Sequence, residues 1–239
     1  MSGPPTLEVL HADNHVVVVV KPAGLGVVPD ESGDESLFDR VRAWVEHTYQ
    51  KPGRAFLGVV HRLDRPVSGV VAFARTSKSA ARLTRAFAER RVEKTYWGLV
   101  SGAPEPPAGE LEQWLRKDRS RNRVHVVAPE SDGSKVARTR WRTLGAGPSP
   151  KDRAVLVELT PVTGRSHQLR VAMAALKRPL LGDLKYGAER ALPDRSIALH
   201  ARRLAFEHPT TKAWLEFEAR APALDVWDVA ARAQDEGRG

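Results

Sequence analysis

Asp64 stands in the segment His61-Arg62-Leu63-Asp64-Arg65-Pro66-Val67-Ser68-Gly69, a carboxylate among basic and turn-forming residues between two short apolar runs at 56–60 and 70–74. Runs of that length and composition read as buried strands, so the acid lies on a loop fixed by a sheet, the setting in which reactive groups are commonly presented. The competing use of a loop Asp is to form a turn or a cap. A second constellation is the basic run Arg116-Lys117-Asp118-Arg119-Ser120-Arg121-Asn122-Arg123. A dense set of cations bounded by Leu115 and Val124 reads as a loop that contacts phosphates, against the alternative of a solvated charge run. His61, His167 and His200 with Asp183 raise a third possibility, a metal-dependent hydrolase, but their spacings match no ligand motif.

The His-Arg-Leu-Asp loop followed by Ser68-Gly69 resembles the signature loop of the RluA family of RNA pseudouridine synthases. Further segments resemble the same family in the same order: 18–24 (VVVKPAG), Lys94-Thr95-Tyr96, 164–170 (GRSHQLR), 182–187 (GDLKYG), Leu199-His200-Ala201 and 206–209 (FEHP). The likeness extends over about residues 8–222. Departures are Val67 where family members commonly carry Thr, Val20 where they carry Asn, Ala172 where they carry His, and Lys177 near the place of a Gly.

The resemblance implies the isomerisation of uridine to pseudouridine in ribosomal RNA, transfer RNA or both: the N1–C1′ bond breaks, the base turns, and it rejoins through C5. Such a reaction calls for a carboxylate near the sugar and a dry pocket for the detached base, with no metal, nucleotide or redox cofactor. By resemblance Asp64 is that carboxylate, Arg170 the arginine paired with it, and Tyr96 the ring that stacks on the target base and serves in proton transfer. Leu199 is the apolar wall of the base pocket, and His61, Arg165 and His167 belong to the substrate-binding surroundings. Arg62 has a further use. An enzyme acting on a base must extrude it, and a guanidinium beside the acid can fill the vacated space and stack on neighbouring bases. Arg116, Lys117, Arg119, Arg121 and Arg123 are expected to grip the RNA backbone. The alternative within the same fold is an RNA-binding or ribosome-assembly protein without turnover.

The elements that must position these residues follow from periodicity. Strands are expected at 8–10 and 16–20, at 94–100, 136–143, 154–160, 197–206 and 214–218. Along 136–143, Ala137, Thr139 and Trp141 face one way and Arg138, Arg140 and Arg142 the other, which makes a second basic surface. Helices are expected over 36–50, capped by Asp34 or Ser36, over 78–91 with Ser77 as cap, over 166–176, and as a closing helix over 224–233; 145–150 reads as a loop. Without regular strand–helix alternation the fold class is α+β with a large mixed or antiparallel sheet. The resemblance implies the pseudouridine synthase fold, a bent sheet with flanking helices and a central RNA-binding cleft. The expected organisation is a flexible leader at 1–7, a catalytic domain at 8–222 and a C-terminal helix and charged tail at 223–239, without room for an S4-like domain.

Composition agrees. In 239 residues, 38 Lys and Arg stand against 29 Asp and Glu, a formal charge of +9 that favours an anionic partner. No cysteine occurs, which excludes disulfides and thiolate zinc sites. The valine run at 16–20, like every other apolar stretch of the sequence, is far too short to span a bilayer. The expected setting is a cytoplasmic monomer acting on RNA.

Overall fold

In the computed structural model, which describes residues 7–228 other than 32, 51 and 147–153, the valine run becomes the interior of a sheet. That sheet belongs to the first of two units, Met1–Glu93 with Ala201–Arg220. Its elements in chain order are β1 (Glu8–Ala12), β2 (Val16–Lys21), α1 (Leu37–Thr48), β3 (Gly58–Val59), β4 (Ser68–Ala74) and α2 (Ser77–Ala88). The second unit, Lys94–His200 with Ala221–Gly239, holds β5 (Glu93–Ser101), β6 (Ala108–Asp118), β7 (Arg123–Val127), β8 (Lys135–Ala146), β9 (Ala154–Pro161) and α3 (Gln168–Ala175). The chain then returns to the first unit through β10 (Leu199–Glu207) and β11 (Trp214–Glu218).

In the first unit the strand order is β1-β2-β4-β10, with β11 on β10 and β3 on β4. Every residue of β4 is buried, and so are Val16–Val19 of β2, because both faces are covered. Val17 lies opposite Phe73 in the β2–β4 register, and the Phe38 ring of α1 packs edge-on against Phe73 at 6.5 Å. Val16, Val18, Val70 and Ala72 form a cluster with Leu83 and Ala86 of α2. A strand covered by helices on both sides has no wet face, so its sequence is a continuous apolar run rather than an alternation.

The second unit is ordered β5-β9-β8-β6-β7, with antiparallel registers from strand to strand. Here the expected alternation appears: Ala137, Thr139 and Trp141 are buried and Arg138, Arg140 and Arg142 exposed. The fold is α+β, as the sequence indicates.

Several expectations and boundaries differ. The run 56–60, expected to be a buried strand, forms only the two-residue β3 and leaves Phe56 and Val59 exposed, while β6 and β7 arise where no strand is expected. The α2 cap is Thr76, whose hydroxyl accepts from the Ser79 amide at 3.1 Å, where Ser77 is expected. Gly145 belongs to β8, while 147–150 lie outside the described residues. Of the closing helix expected at 224–233, the described residues hold a short 3-10 turn at Asp225–Trp227, and 229–233 lie outside them. The basic run is no irregular loop: it is the end of β6, a tight turn at 119–122 and the start of β7. The Asp118 carboxylate makes the turn by accepting from Ser120 Oγ at 2.7 Å and the Arg121 amide at 3.1 Å, and Asn122 takes the left-handed conformation with φ 44. An Asp accepting from its own turn is a turn-forming device that outweighs like-charge repulsion among exposed arginines. The second basic surface is largely neutralised, since Arg138, Arg140 and Arg142 pair with Glu112, Glu110 and Glu158.

Candidate active site

The segment carrying Asp64 leaves β3 and enters β4, and four independent ties fix it. Leu63 and Val67 bury their side chains, and the Val67 amide donates to the Asp64 carbonyl at 3.0 Å, closing a turn around Arg65-Pro66. The Arg65 carbonyl accepts from the Gly24 amide at 2.9 Å and from Lys21 Nζ at 3.0 Å. His61 Nε2 accepts from the Ala72 amide of β4 at 2.9 Å, and its ring stacks on Phe87 of α2 at 4.6 Å. His61 is therefore a scaffold for the loop, with the Nδ1-protonated tautomer implied by that acceptor role. At the loop's exit Gly69 has φ +120, and a Cβ there would collide with the Ala201 backbone, so only glycine fits. Between these anchors Asp64 is half-buried while Arg62 is exposed. Among the described residues no side chain pairs with the Arg62 guanidinium. Val67 is 2% exposed, so at this position the chain places an apolar anchor in the core.

Lys21 closes β2 and is fully buried. Its ammonium donates to the carbonyls of Pro22 at 2.9 Å, Leu25 at 2.7 Å and Arg65 at 3.0 Å. One side chain thus clamps two loops. Burial pushes it from the ordinary 10.5 down to about 7, opposed by the Asp64 carboxylate and assisted by the Arg65 charge. Below pH 7 folded and unfolded chains are both protonated and the buried charge counts fully against the fold. Between about 7 and 10.5 the unfolded chain keeps a proton that the native state has released, so stability rises with pH across that window. Urea denaturation of the wild type and of Lys21→Met across that range should therefore show the difference moving toward the wild type, by at most about 1.4 kcal/mol per pH unit. A difference independent of pH would show that Lys21 keeps its proton throughout.

In the second unit, Arg170 lies on α3 and is 5% exposed. Its Nε donates to Asp183 Oδ2 at 2.7 Å and its Nη2 to Asp183 Oδ1 at 2.8 Å, a bidentate pair fixing the plane of the guanidinium. That plane lies 5.0 Å from the Tyr186 ring centroid. The turn leading into α3 is held by Gln168. Its Oε1 accepts from Thr163 Oγ1 at 2.6 Å and the Arg165 amide at 3.1 Å, and its Nε2 donates to the Arg138 carbonyl at 2.8 Å and Thr139 Oγ1 at 3.1 Å. His167 occupies the helix cap with φ 51, and its Nδ1 shares a 2.7 Å hydrogen bond with Tyr186 Oη. Arg165 Nε donates to the Val136 carbonyl at 3.0 Å. Ala172 is buried. Lys177, with φ 58 just past the end of α3, occupies a left-handed position that favours glycine. Tyr96 is half-buried on β5 opposite Leu159 of β9, and Leu199 is buried at the start of β10.

The second unit thus gathers Arg170, His167, Asp183 and Tyr186 with the β6–β7 hairpin, while the first places His61, Arg62 and Asp64 on one clamped loop. Sequence reasoning assigns none of these positioning roles to Lys21, Phe87, Gln168, Asp183 or Tyr186. Lys21 leaves one signal, an ionisable residue closing an apolar run, and Asp183 and Tyr186 another, the Gly-flanked segment 182–187. Both Asp183 oxygens are taken by Arg170, and among the described residues no cluster of three or more His, Asp or Glu is arranged to hold a metal.

Residues 15–175 match the family model described as RNA pseudouridylate synthase. The chain is 38% identical over 217 residues to the dual-specificity RNA pseudouridine synthase RluA of Pasteurella multocida, covering 90% of this chain and 93% of that one. It is 33% identical over 229 residues to the ribosomal large subunit pseudouridine synthase D of Zymomonas mobilis, covering 90% and 69%. The solved structure of human RNA pseudouridylate synthase domain containing 1 superposes with a TM-score of 0.74 at 27% identity, over 96% of this chain and 89% of that one. Matches of this extent run through the clamped loop of Asp64 and the helix of Arg170 alike, and the chain belongs to the RluA-like RNA pseudouridine synthases.

Proposed function

We propose that this RNA pseudouridine synthase uses Asp64 as its reacting carboxylate, with Arg170 and Tyr96 as the other catalytic groups. The observation that carries the proposal is the clamped loop: Lys21, Gly24, His61 and Val67 fix the backbone around Asp64, yet Asp64 stays accessible and its neighbour Arg62 exposed. In the reaction the N1–C1′ bond breaks, the C5–C1′ bond forms, N1 gains a proton and C5 loses one. RNA carrying tritium at C5 of uridine must therefore release its label, and failure of the purified protein to release tritium from ribosomal or transfer RNA would defeat the proposal. Arg62 is free to stack where the base has left, and His61, Arg165, His167 and Leu199 shape the surroundings. The RNA is ribosomal or transfer RNA presenting a uridine in a loop or stem-loop, met by a cytoplasmic monomer. Among the described residues no helix is long and apolar enough to cross a membrane.

The hairpin supplies the grip. Arg116, Lys117, Arg119, Arg121 and Arg123 are all exposed, and none has an acidic ion-pair partner among the described residues. Cations that read phosphates contribute affinity without sequence preference. Replacing Arg119, Arg121 and Arg123 with Gln is expected to weaken binding of all RNAs by a similar factor. The slope of log affinity against log salt should fall by up to about 0.7 to 0.9 for each phosphate no longer neutralised. Filter binding at several salt concentrations reads this directly; an unchanged slope would leave the hairpin as a solvated surface.

A further inference from the structure

We propose that Tyr186 is a positioning residue that locks the β6–β7 hairpin in register with Arg170, so that RNA gripped by the hairpin is presented to Arg170 at a fixed distance. This rests on the reading of the hairpin as an RNA-binding element.

Tyr186 makes contacts in two directions. Toward the hairpin, its hydroxyl accepts from the Val124 amide at 2.8 Å. The next residue back, Arg123, lies with its guanidinium 5.6 Å from the Tyr186 ring centroid. The neighbouring Lys185 adds a second tie, donating from Nζ to the Asn122 carbonyl in the turn at 3.0 Å. Toward α3, the same hydroxyl is bonded to His167 Nδ1 at 2.7 Å, and the ring carries the Arg170 guanidinium that Asp183 holds through both carboxylate oxygens. Leu115, Val124, Ala137 and Val171 form a small core against which Tyr186 packs.

The β6–β8 register ends at Leu115 opposite Lys135, so from Arg116 to Asp118 β6 pairs with β7 alone, and this exposed end of the hairpin by itself is free to twist, as two-stranded ribbons do. A hydroxyl bonded at once to the hairpin backbone and to the cap residue of the helix that carries Arg170 removes that freedom. The Val124 amide is well placed for this: in the antiparallel register Val124 lies opposite Lys117, and its bond to Tyr186 ties the strand to the residue that also meets α3. Misplacing bound RNA by about an ångström lowers the rate without lowering affinity, since the phosphate contacts remain.

Tyr186→Phe keeps the ring against Arg170 and removes only the hydroxyl. At saturating RNA its single-turnover rate is expected to fall by about tenfold while the dissociation constant stays within about twofold, a split characteristic of lost alignment rather than lost binding. The deciding measurement is a cycle with Arg119, Arg121 and Arg123 changed together to Gln. Once the hairpin no longer holds RNA, misalignment of the hairpin has nothing to misplace, and Tyr186→Phe should then cost about twofold or less. Lys185→Met, which cuts the other tie without touching the ring, should give a smaller loss that the same triple change suppresses.

A tenfold loss that persists in the triple-Gln background would show that Tyr186 serves only the local geometry of His167 and Arg170, and no loss in the wild-type background would show the hydroxyl bond to be idle. Either result overturns the coupling. Absence of tritium release by the wild type would instead defeat the assignment of activity, and an unchanged salt slope in the triple variant alone would defeat the hairpin's role as the grip.

Discussion

Asp64→Asn should abolish tritium release almost entirely, a fall of at least about a thousandfold, equivalent to roughly 4 kcal/mol of barrier. Asn preserves the shape of the side chain and the turn closed by the Val67 amide, which uses the Asp64 backbone carbonyl and not the carboxylate. The loop is held by Gly24 and His61, whose bonds to backbone do not involve the Asp64 charge, and by Lys21, whose ammonium loses the attraction of that charge but keeps its three carbonyl acceptors. Folding and RNA binding should therefore persist. What disappears is the nucleophile or base, and no other acid on the loop can replace it. Near-normal release by the purified variant, with its melting temperature unchanged, would remove Asp64 from the chemistry.

The second large effect is expected at the Arg170–Asp183 pair, whose side chains are 6% and 1% exposed. Breaking a buried pair strands a charge and costs about 3–5 kcal/mol, which in a chain of this size lowers the melting temperature by on the order of 10 °C. Asp183→Asn should show this loss together with a large loss of turnover, because residue 183 then offers the guanidinium one acceptor oxygen in place of a fork. Arg170→Lys should behave similarly, since an ammonium cannot bridge both carboxylate oxygens while lying over the Tyr186 ring. The combination Arg170→Met with Asp183→Leu separates the two consequences. It removes both charges and should recover much of the stability while recovering none of the activity. Activity returning along with stability would show that the pair is a structural element only.

The loop around Asp64 is legible in the sequence because its residues are contiguous: one acid, its arginines and its turn formers lie in a single short segment, flanked by two apolar runs, of which 70–74 is the buried strand expected and 56–60 contributes only the two-residue β3. The helix of Arg170 is legible for the same reason, and α1 down to its cap, since Ser36 and Asp39 satisfy each other's backbone amides one turn apart. The basic run reads as irregular because its charge content hides a short-range signal, the Asp118 side chain accepting from the turn that follows it. The expected basic face of β8 departs from expectation for a different reason. Its arginines are exposed as the alternation requires, but their glutamate partners lie 16 to 30 residues away in sequence, on strands whose register the sequence does not display.

Legible in the sequence alone is therefore whatever is encoded locally: the α+β class, the period of most strands and of the helices α1 to α3, with β6 and β7 missed, the absence of thiolate chemistry, and the loop and helix that carry the candidate acid and arginine. What only the tertiary structure decided is how the charges are distributed among partners. Lys21 meets the Arg65 carbonyl across 44 residues, Arg170 meets Asp183 across 13, and Val124 meets Tyr186 across 62. The physical reason is that burying a charge or a hydroxyl is tolerable only where other atoms complete its hydrogen bonds, and the atoms that do so here are brought near by strand pairing and helix packing rather than by proximity along the chain.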